Sequence, residues 1–536
     1  MRNECLDTAA RLVFVALFSI CLAQATTFAQ QPDAMNPARP MPISLSQAIE
    51  MALRNNKDIA LARQNVLTAD WDLEGVRGLY ETRSTFSSLY EHASVPVNSY
   101  LSGGVNGSVT HSDLLAGYRL EGFAPKGGGT YEMSFSSRRF TTNNLFAALN
   151  PQYGSELLFQ YTQPLGRGRR FSTRFKDIEV AKTNSELSDT QFRKIVTETV
   201  FTVKRAYWDL VFARNNLSIQ TEVLRDSQSQ LDLSRRRARI GLVAATDVVR
   251  PEARAAESER SVYRALEEVT RAENILKNLI VDTSSSQLWS VSLAPTETLD
   301  SDAPAMTLEA SLTAALNDRL ELQEMDVVRK INDIEQRYYR DQTRPQVDLV
   351  GSYGLTGVGG SFVKSDDPSI APFAQVPLPG FLEGSYGQSL SNLAQNRFSS
   401  VRVGVQITLP FHNRTAEAKM GRAVVEGQRL NTQREKLKQL IQMDVRNAYQ
   451  AVYAAESRRR AAAVVRVSME QQYASEQRKS SVGYSTNDVV LDRHVALAAA
   501  RVNELNTQTE RNKALVELER AMGTALEANG IAVRSQ

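Results

Sequence analysis

Cysteine is almost missing from this sequence of 536 residues. Its two cysteines, Cys5 and Cys21, both lie in the first 30 residues, within a segment that has the features of a removable leader. Without that leader the chain can form no disulfide and offers no thiol chemistry.

The sequence also lacks a large excess of charge of either sign, and it lacks long apolar runs. The chain has 63 basic and 60 acidic side chains, for a net charge of +3, and no basic run with interleaved aromatic residues. This pattern gives no support to nucleic-acid binding. Beyond the N-terminus no apolar run approaches about 20 residues, so the sequence predicts no membrane-spanning helix.

The motifs of common enzymes are also absent from the sequence. We find no GxSxG, P-loop, GxGxxG or HExxH pattern. The four histidines, His92, His111, His412 and His494, are scattered without metal-ligand spacing. We therefore expect a protein that is not an enzyme and that carries no cofactor and no metal.

The N-terminus has the pattern of an export signal. Arg2 and Arg11 precede the apolar run LVFVALFSICLA, and small-residue cleavage sites follow it, ending at Ala25 or Ala29. A charged start, an apolar run and small residues are typical of a cleaved signal peptide. The sequence therefore predicts an exported chain.

The rest of the chain contains an internal duplication. Residues 44–59 align without gaps on residues 307–322, with Ser44 and Thr307 at helix N-cap positions. A repeat of roughly 240 to 260 residues is too long for a solenoid and indicates a duplicated half-molecule. We divide the chain into a signal peptide (1–29), a linker (30–42), a first repeat (43–281), a linker (282–305), a second repeat (306–525) and a C-terminal tail (526–536).

Each repeat contains a very long helical segment. Neither Gly nor Pro occurs in residues 171–240 or 428–482, which predicts long helices. At about 1.5 Å per residue, a helix of this kind is about 100 Å long. Shorter helices are predicted at 58–83 and 246–280. A coiled-coil seam in the first long helix is indicated by apolar residues at steps of four and three, namely Val196, Val200, Val203, Tyr207 and Leu210.

Alternating side chains predict strands near 84–93, 155–164, 346–355 and 398–409. The last is the clearest, because Arg402 and Gln406 point to the side opposite its apolar residues. Alternation is typical of a half-buried strand in an ordinary sheet, or of a barrel strand with apolar residues towards lipid, which suits lengths of about 9 to 11 residues. The predicted lipid-facing residues are Val401, Val403, Val405 and Ile407.

Four strands cannot close a membrane barrel within one chain. A barrel needs about eight or more strands, because lipid tolerates no open sheet edge. Copies of the chain must therefore combine, and three of them would provide twelve strands. The segments GYRLEGFA and TYEMSFSS, within residues 94–154, are an alternative source of strands, either as an extra hairpin or as the true first strand.

The order of these elements resembles that of the TolC-type outer-membrane efflux proteins. Residues 240–246 (IGLVAAT) and 482–487 (VGYSTN) resemble that family's tip motif, and QPLGRGRRF resembles its strand-to-helix entry. The resemblance implies an α+β membrane protein with a duplicated helix–strand–strand–helix–helix repeat. It implies a homotrimer whose 12-stranded transmembrane barrel continues into a long α-helical periplasmic tunnel.

The same resemblance implies a function and its partners. The protein would be a passive exit duct in the outer membrane of a Gram-negative-type bacterium, with a large periplasmic portion. It would work with a periplasmic adaptor and an inner-membrane pump in a tripartite efflux or secretion system. The alternative is a soluble periplasmic coiled-coil adaptor or structural protein, which explains the helices and leaves the alternating strands unexplained.

The two breaks between long and returning helices are the predicted functional sites. Glycine can adopt positive φ where the chain reverses, and an acidic residue can cap the helix that follows. The resemblance implies adaptor docking at the breaks and an acidic periplasmic gate, although Asp492 could instead pair with Arg493 or Arg478. The docking candidates are Ile240, Gly241, Leu242, Thr246, Val482, Gly483 and Tyr484. The gate candidates are Asp247, Asp488 and Asp492.

Overall fold

The computed structural model describes residues 40–97, 103–104, 106–124, 127–242, 244–282, 286–297, 307–363, 378–526 and 530. The predicted signal peptide lies outside these residues. The strands in the described part of the chain are β1 (Met41–Ile43), β2 (Arg83–Pro96), β3 (Ser108–Phe123), β4 (Thr130–Thr142), β5 (Leu149–Pro164), β6 (Leu293–Pro295), β7 (Gln346–Phe362) and β8 (Phe398–Thr408). The α-helices there are α1 (Leu45–Asn55), α2 (Lys57–Arg77), α3 (Thr173–Arg239), α4 (Val249–Ile280), α5 (Ser286–Ser290), α6 (Leu308–Asp318), α7 (Leu320–Gln342), α8 (Tyr386–Ala394), α9 (Arg414–Ser481) and α10 (Asn487–Met522).

The helices repeat in matching lengths. Helices α1 and α6 both have 11 residues, and the long helices α3 and α9 have 67 and 68. The start of α1 is a capping box, in which the Ser44 hydroxyl accepts a hydrogen bond from the Gln47 N–H at 3.1 Å while the Gln47 side chain accepts from the Ser44 N–H. At α6 the Thr307 hydroxyl accepts from the Ala310 N–H. The N-caps predicted from the sequence are therefore present.

The chain divides into two compact units. The first comprises the described parts of Met1–Lys57, Glu198–Ala305 and Ala448–Arg520, and the second those of Asp58–Thr197, Met306–Asn447 and Ala521–Gln536. Each unit therefore takes segments from both predicted repeats. Among the described helices, none combines the length and the apolar character needed to cross a membrane.

The first unit is built around the buried side chain of Tyr207. Its hydroxyl donates to the Ile43 carbonyl at 3.1 Å, and the Glu297 carboxylate also binds this hydroxyl. Glu297 accepts a further hydrogen bond from the Leu45 N–H, which lies just after the short strand β1. Strand β1 pairs in parallel with β6, so one tyrosine and one carboxylate hold both strands against α3. Tyr207 and Leu210 are fully buried, as the predicted seam requires.

The second unit contains a sheet of strands that come from both repeats. The described strands pair in the order β2-β3-β4-β5-β7-β8, and each neighbouring pair is antiparallel. The predicted strand near 398–409 is β8, and the strand near 346–355 extends to Phe362 as β7. We call this assembly the antiparallel sheet.

The expectation of two strands per repeat is wrong for the first repeat. The four predicted strands do not include residues 94–154, but this segment supplies β3 and β4. The two strands form the extra hairpin that the sequence analysis gave as an alternative. The described sheet therefore has six strands where the sequence predicted four. The hairpin is hard to see in the sequence because Leu114 and Leu115 are adjacent, which breaks the alternation of apolar and polar residues.

Helix α8 packs over one face of the sheet, at the ends of β5 and β7. Pairing between β7 and β8 ends at Thr356 and Phe398. Beyond that point Ser389 donates to the Gly357 carbonyl and Asn392 donates to the Val358 carbonyl. The Ser389 hydroxyl also bonds the Ser155 hydroxyl of β5, so polar side chains of α8 hold the helix on the sheet. A Cβ at Gly357 would lie 2.0 Å from the Ser389 carbonyl oxygen, which explains why this strand position carries no side chain.

Candidate functional site

In the first break, residues 240–247, Gly241 ends the helix α3. Gly241 has φ of +77°, and its N–H donates to the Ala238 carbonyl. The Leu242 N–H donates to the Arg237 carbonyl at 2.9 Å. This pair of hydrogen bonds is a Schellman motif, which requires a left-handed residue and so favours glycine. We call residues 240–247 the first tip.

The second break repeats this arrangement at the end of α9. Gly483 has φ of +82°, and the Tyr484 N–H donates to the Lys479 carbonyl at 2.9 Å. The Gly483 N–H donates to the Ser480 carbonyl. Both halves of the duplication therefore end their long helix with the same backbone geometry, as the predicted chain reversals require. We call residues 482–488 the second tip.

Apolar side chains at both tips are exposed. Ile240 and Leu242 are each 70% exposed, and Tyr484 reaches 86%. The residue after a Schellman glycine commonly packs back on its helix, whereas Leu242 and Tyr484 project into solvent. Exposed apolar groups on rigid turns are suited to contact another protein.

The first tip passes into α4 through a short 3₁₀ turn. The Asp247 carboxylate accepts a hydrogen bond from the Ala244 N–H at 3.1 Å, which places this predicted gate residue in a capping position. Thr246 is exposed, and its carbonyl accepts from the Val249 N–H. Pro251 falls in the first turn of α4, where its missing N–H removes no helical hydrogen bond.

The gate candidates Asp488 and Asp492 lie together at the start of α10. Both face arginines of α4: Asp492 lies 3.4 Å from Arg250 and 3.4 Å from Arg254, and Asp488 lies 3.6 Å from Arg250. The expected alternative partners of Asp492, Arg493 and Arg478, do not appear among these ion pairs of the described residues. We call these four residues the return-helix ion cluster.

The return-helix ion cluster is balanced in charge and open to water. Two carboxylates face two guanidinium groups, and the Arg250 side chain is 71% exposed. The sequence analysis missed both arginines. Their four-residue spacing at the start of a returning helix, matching that of Asp488 and Asp492, is the signal that could have found them.

A further carboxylate stabilises the second tip. The Ser485 hydroxyl donates to Glu476, and Lys479 forms an ion pair with the same carboxylate at 3.2 Å. The hydrogen bond from Ser485, followed by that from Lys479, lowers the pKa of Glu476 below its ordinary value. This tip is therefore held by an ionised carboxylate at neutral pH.

One face of the antiparallel sheet carries most of its large apolar side chains, and the other face carries most of its charged ones. The register aligns alternate residues of all its described strands on two faces. The apolar face includes Phe86, Tyr118, Phe135, Phe159, Tyr353 and Val401. The polar face includes Glu91, Asp113, Arg138, Glu156, Ser352 and Arg402. Val403, Val405 and Ile407 extend the apolar face at β8 and are more than half exposed.

Ion pairs connect neighbouring strands on the polar face. Arg138 lies 2.6 Å from Asp113, and Arg119 lies 3.1 Å from Glu132. Apolar residues also occur on this face, among them Leu89 and Leu115, which the register places directly opposite each other, and Phe140, which lies opposite Asp113. The charges of this face are therefore paired across strands, whereas the described residues of the apolar face form no ion pair with one another.

Comparisons with known proteins show which proteins have a similar sequence or fold. Residues 132–280, which run from β4 to the end of α4, match the family model described as outer membrane efflux protein. No curated protein matches the chain. Among solved structures, the CmeC outer membrane channel of Campylobacter jejuni has a TM-score of 0.63 at 14% identity, over 90% of this chain and 86% of that chain.

Two further solved structures have the same fold. VceC, an outer membrane protein of Vibrio cholerae, has a TM-score of 0.60 at 14% identity, over 89% of this chain and 96% of that one. The open-state MtrE outer membrane channel of Neisseria gonorrhoeae has a TM-score of 0.58 at 17% identity, over 90% and 89%. The fold is that of outer-membrane channels. With the family match, it confirms the predicted resemblance to TolC-type outer-membrane efflux proteins.

Proposed function

We propose that this protein is the outer-membrane exit duct of a tripartite efflux or secretion system. The observation that carries the proposal is the separation of apolar and polar faces across the antiparallel sheet. An apolar face of Phe86, Tyr118 and Phe159 suits lipid, and a polar face with paired charges suits a water-filled lumen. Val347 to Leu355 on β7 cover about nine residues, the length of one membrane crossing.

Closure of the sheet requires further copies of the chain. Within the described residues no strand covers the outer edges of β2 and β8, and unpaired backbone groups are costly in lipid. We propose a homotrimer, as in the family that the sequence resembles. Its periplasmic portion is formed by the long helices α3 and α9 with the returning helices α4 and α10.

The tips are the proposed docking surface for a periplasmic adaptor, which in turn links the duct to an inner-membrane pump. Ile240, Leu242, Val482 and Tyr484 present apolar side chains on turns whose backbone is fixed by Schellman hydrogen bonds. A rigid turn loses little conformational entropy on binding, which favours its use as a contact point.

The return-helix ion cluster is the proposed periplasmic gate. It joins α4 to α10 through Arg250 and the carboxylates Asp488 and Asp492. Exposed ion pairs of this kind are individually weak, so a docked adaptor could exchange them at small cost. We propose that they hold the two returning helices together in the closed duct.

The test is fractionation followed by electrical recording. The full chain, expressed with its leader in a bacterium with two membranes, should sediment with outer membranes and need detergent for extraction. Purified protein should migrate as three copies and open channels in planar bilayers. Recovery in the soluble periplasmic fraction, with no channel activity, would instead support the adaptor alternative.

A further inference from the structure

The antiparallel sheet ends in two long backbone edges. Strand β2, with 14 residues, forms one edge, and β8, with 11 residues, forms the other. In the described part of the chain, each has a pairing partner on one side. Nearly every residue of both strands is exposed, so both edges present free hydrogen-bonding groups.

The two edges are complementary to each other. Each described strand of the sheet runs antiparallel to its neighbour, and their number is even. The two edge strands, β2 and β8, therefore run in opposite directions. A β8 placed beside the β2 of another copy would therefore pair antiparallel, like the neighbours within the sheet. Their faces also match, since Phe86 and Tyr90 on β2 belong to the same apolar face as Val403 and Val405 on β8.

The register shows a stagger of the size that a barrel requires. Following the paired residues across the sheet leads from Arg83, the first residue of β2, to Arg402 on β8. Strand β8 then continues for six residues, to Thr408. At about 3.3 Å per residue and about 4.8 Å between strands, this climb over five strand spacings corresponds to a tilt of about 40°. Closed barrels have tilts of about 35 to 45°.

The β3–β4 hairpin is a full part of this sheet. Strand β3 pairs with β2 along the whole length of β2, from Arg83 to Pro96, and it pairs with β4 along the whole length of β4. The Arg138–Asp113 and Arg119–Glu132 ion pairs bind β3 to β4 on the polar face. The hairpin is therefore paired with a strand on each side, and its apolar and polar faces continue those of its neighbours. These are the properties of strands in the wall of a barrel.

We propose that every strand of the antiparallel sheet belongs to one barrel wall, in which β8 of each copy pairs with β2 of the next. This inference rests on the proposed function for the membrane setting and the number of copies. Six described strands from each of three copies give eighteen strands, in place of the twelve that the sequence predicted. Because barrel diameter grows roughly linearly with strand number, the mouth is about 1.5 times as wide as a 12-stranded one.

Cysteine cross-linking tests the contact between copies. The natural cysteines lie only at positions 5 and 21, in the predicted leader, so introduced ones meet little background. Ser87→Cys on β2 is combined in turn with Ser400→Cys, Gly404→Cys and Gln406→Cys on β8, all on the polar face. At least one pair should give a ladder of covalent dimers and trimers in denaturing gels.

A matched control moves the first cysteine to the interior of the sheet. Ser136→Cys on β4, combined with the same β8 partners, should give no ladder, because β3 and β5 cover both sides of β4. A ladder from Ser136 with none from Ser87 would overturn the proposal. So would a complete absence of ladders in protein that sediments with outer membranes and conducts, a result that leaves the exit-duct function intact.

Labelling of the hairpin provides an independent measurement. Phe135→Cys lies on the apolar face of β4 and Ser134→Cys on its polar face, one residue apart. In outer membranes, a water-soluble maleimide should label Ser134→Cys at least tenfold faster than Phe135→Cys. Equal, fast labelling of both cysteines would place the hairpin outside the wall and contradict the proposal.

Discussion

Arg250 at the start of α4 and Asp492 near the start of α10 lie 3.4 Å apart. They come from different repeats, and their sequence positions differ by more than 240 residues. The contact ties the helix that follows the first tip to the helix that follows the second. Two of the acidic residues predicted to form a gate therefore lie in an ion cluster that is balanced in charge.

Neutralising the acidic half of this cluster should loosen the gate. In the double variant Asp488→Asn with Asp492→Asn, Arg250 and Arg254 lose the carboxylates that they face. The net charge of each copy at this position rises by two. We expect more frequent openings in planar bilayers and a lower preference for cations over anions. The measurements are single-channel opening frequency and reversal potential.

The matched control for the gate is Glu267→Gln, which removes a similarly exposed ion pair with Arg271 elsewhere on α4. It should behave like the unmodified protein. If the double variant also opens and selects like the unmodified protein, the gate assignment is wrong, even though the channel itself stands.

Valine at Gly483 should disturb the second tip. Its φ of +82° is costly for a residue with a Cβ, by about 1 to 2 kcal/mol, and more for a β-branched one. We expect Gly483→Val to abolish export while trimers still form, measured by substrate accumulation in cells and by native mass in detergent. Gly421→Val is the control, because Gly421 lies in α9 with open space around it. Export by Gly483→Val at the control level would argue against docking at this tip.

Adjacent positions on β8 should tolerate arginine very differently. Val405 lies on the apolar face, so Val405→Arg should destabilise the protein in a bilayer by about 2 to 4 kcal/mol near the midplane. Gln406→Arg, on the polar face, should cost little. Unfolding by denaturant in lipid vesicles measures both. Equal tolerance would indicate a sheet that does not face lipid.

Acid should weaken the helical packing through Glu456. Hydrogen bonds from Arg459 above all, with Arg460 and the charge of Arg511, lower the pKa of Glu456 from its ordinary 4.5 to about 2. A carboxyl with a lowered pKa stabilises the fold above its unfolded pKa. That contribution is therefore complete above about pH 4.5 and is lost as the pH falls towards 2.

The test of this prediction compares two glutamine variants. Glu456→Gln removes a charged acceptor of the nearly buried Arg511 and should lower the free energy of unfolding at pH 7 by about 1.5 to 3 kcal/mol. It should also flatten the loss of stability between pH 4.5 and 2. Glu50→Gln, which removes an exposed pair with Arg54, should change neither. A pH profile of Glu456→Gln that parallels the unmodified one would contradict the assignment.

The helices could be predicted from the sequence because the signals that define them are local. The N-caps Ser44 and Thr307, the long stretches without Gly or Pro, and the two tip glycines each depend on a few neighbouring residues. The clear alternation of β8 likewise predicted its bounds. The β3–β4 hairpin was predicted only as an alternative, because Leu114 and Leu115 place apolar side chains on both faces. Arg250 was missed because its carboxylate partners lie in the other repeat, where no local pattern points to them.

The exposed side chains of the tips also determine how temperature acts on assembly. Ile240, Leu242, Val482 and Tyr484 remain in water because neither long helix covers them. A partner that buries them gains most of its affinity from apolar surface, and such burial lowers the heat capacity of the complex. Because this driving force weakens on cooling, we expect the proposed complex with an adaptor to dissociate in the cold and to re-form on warming.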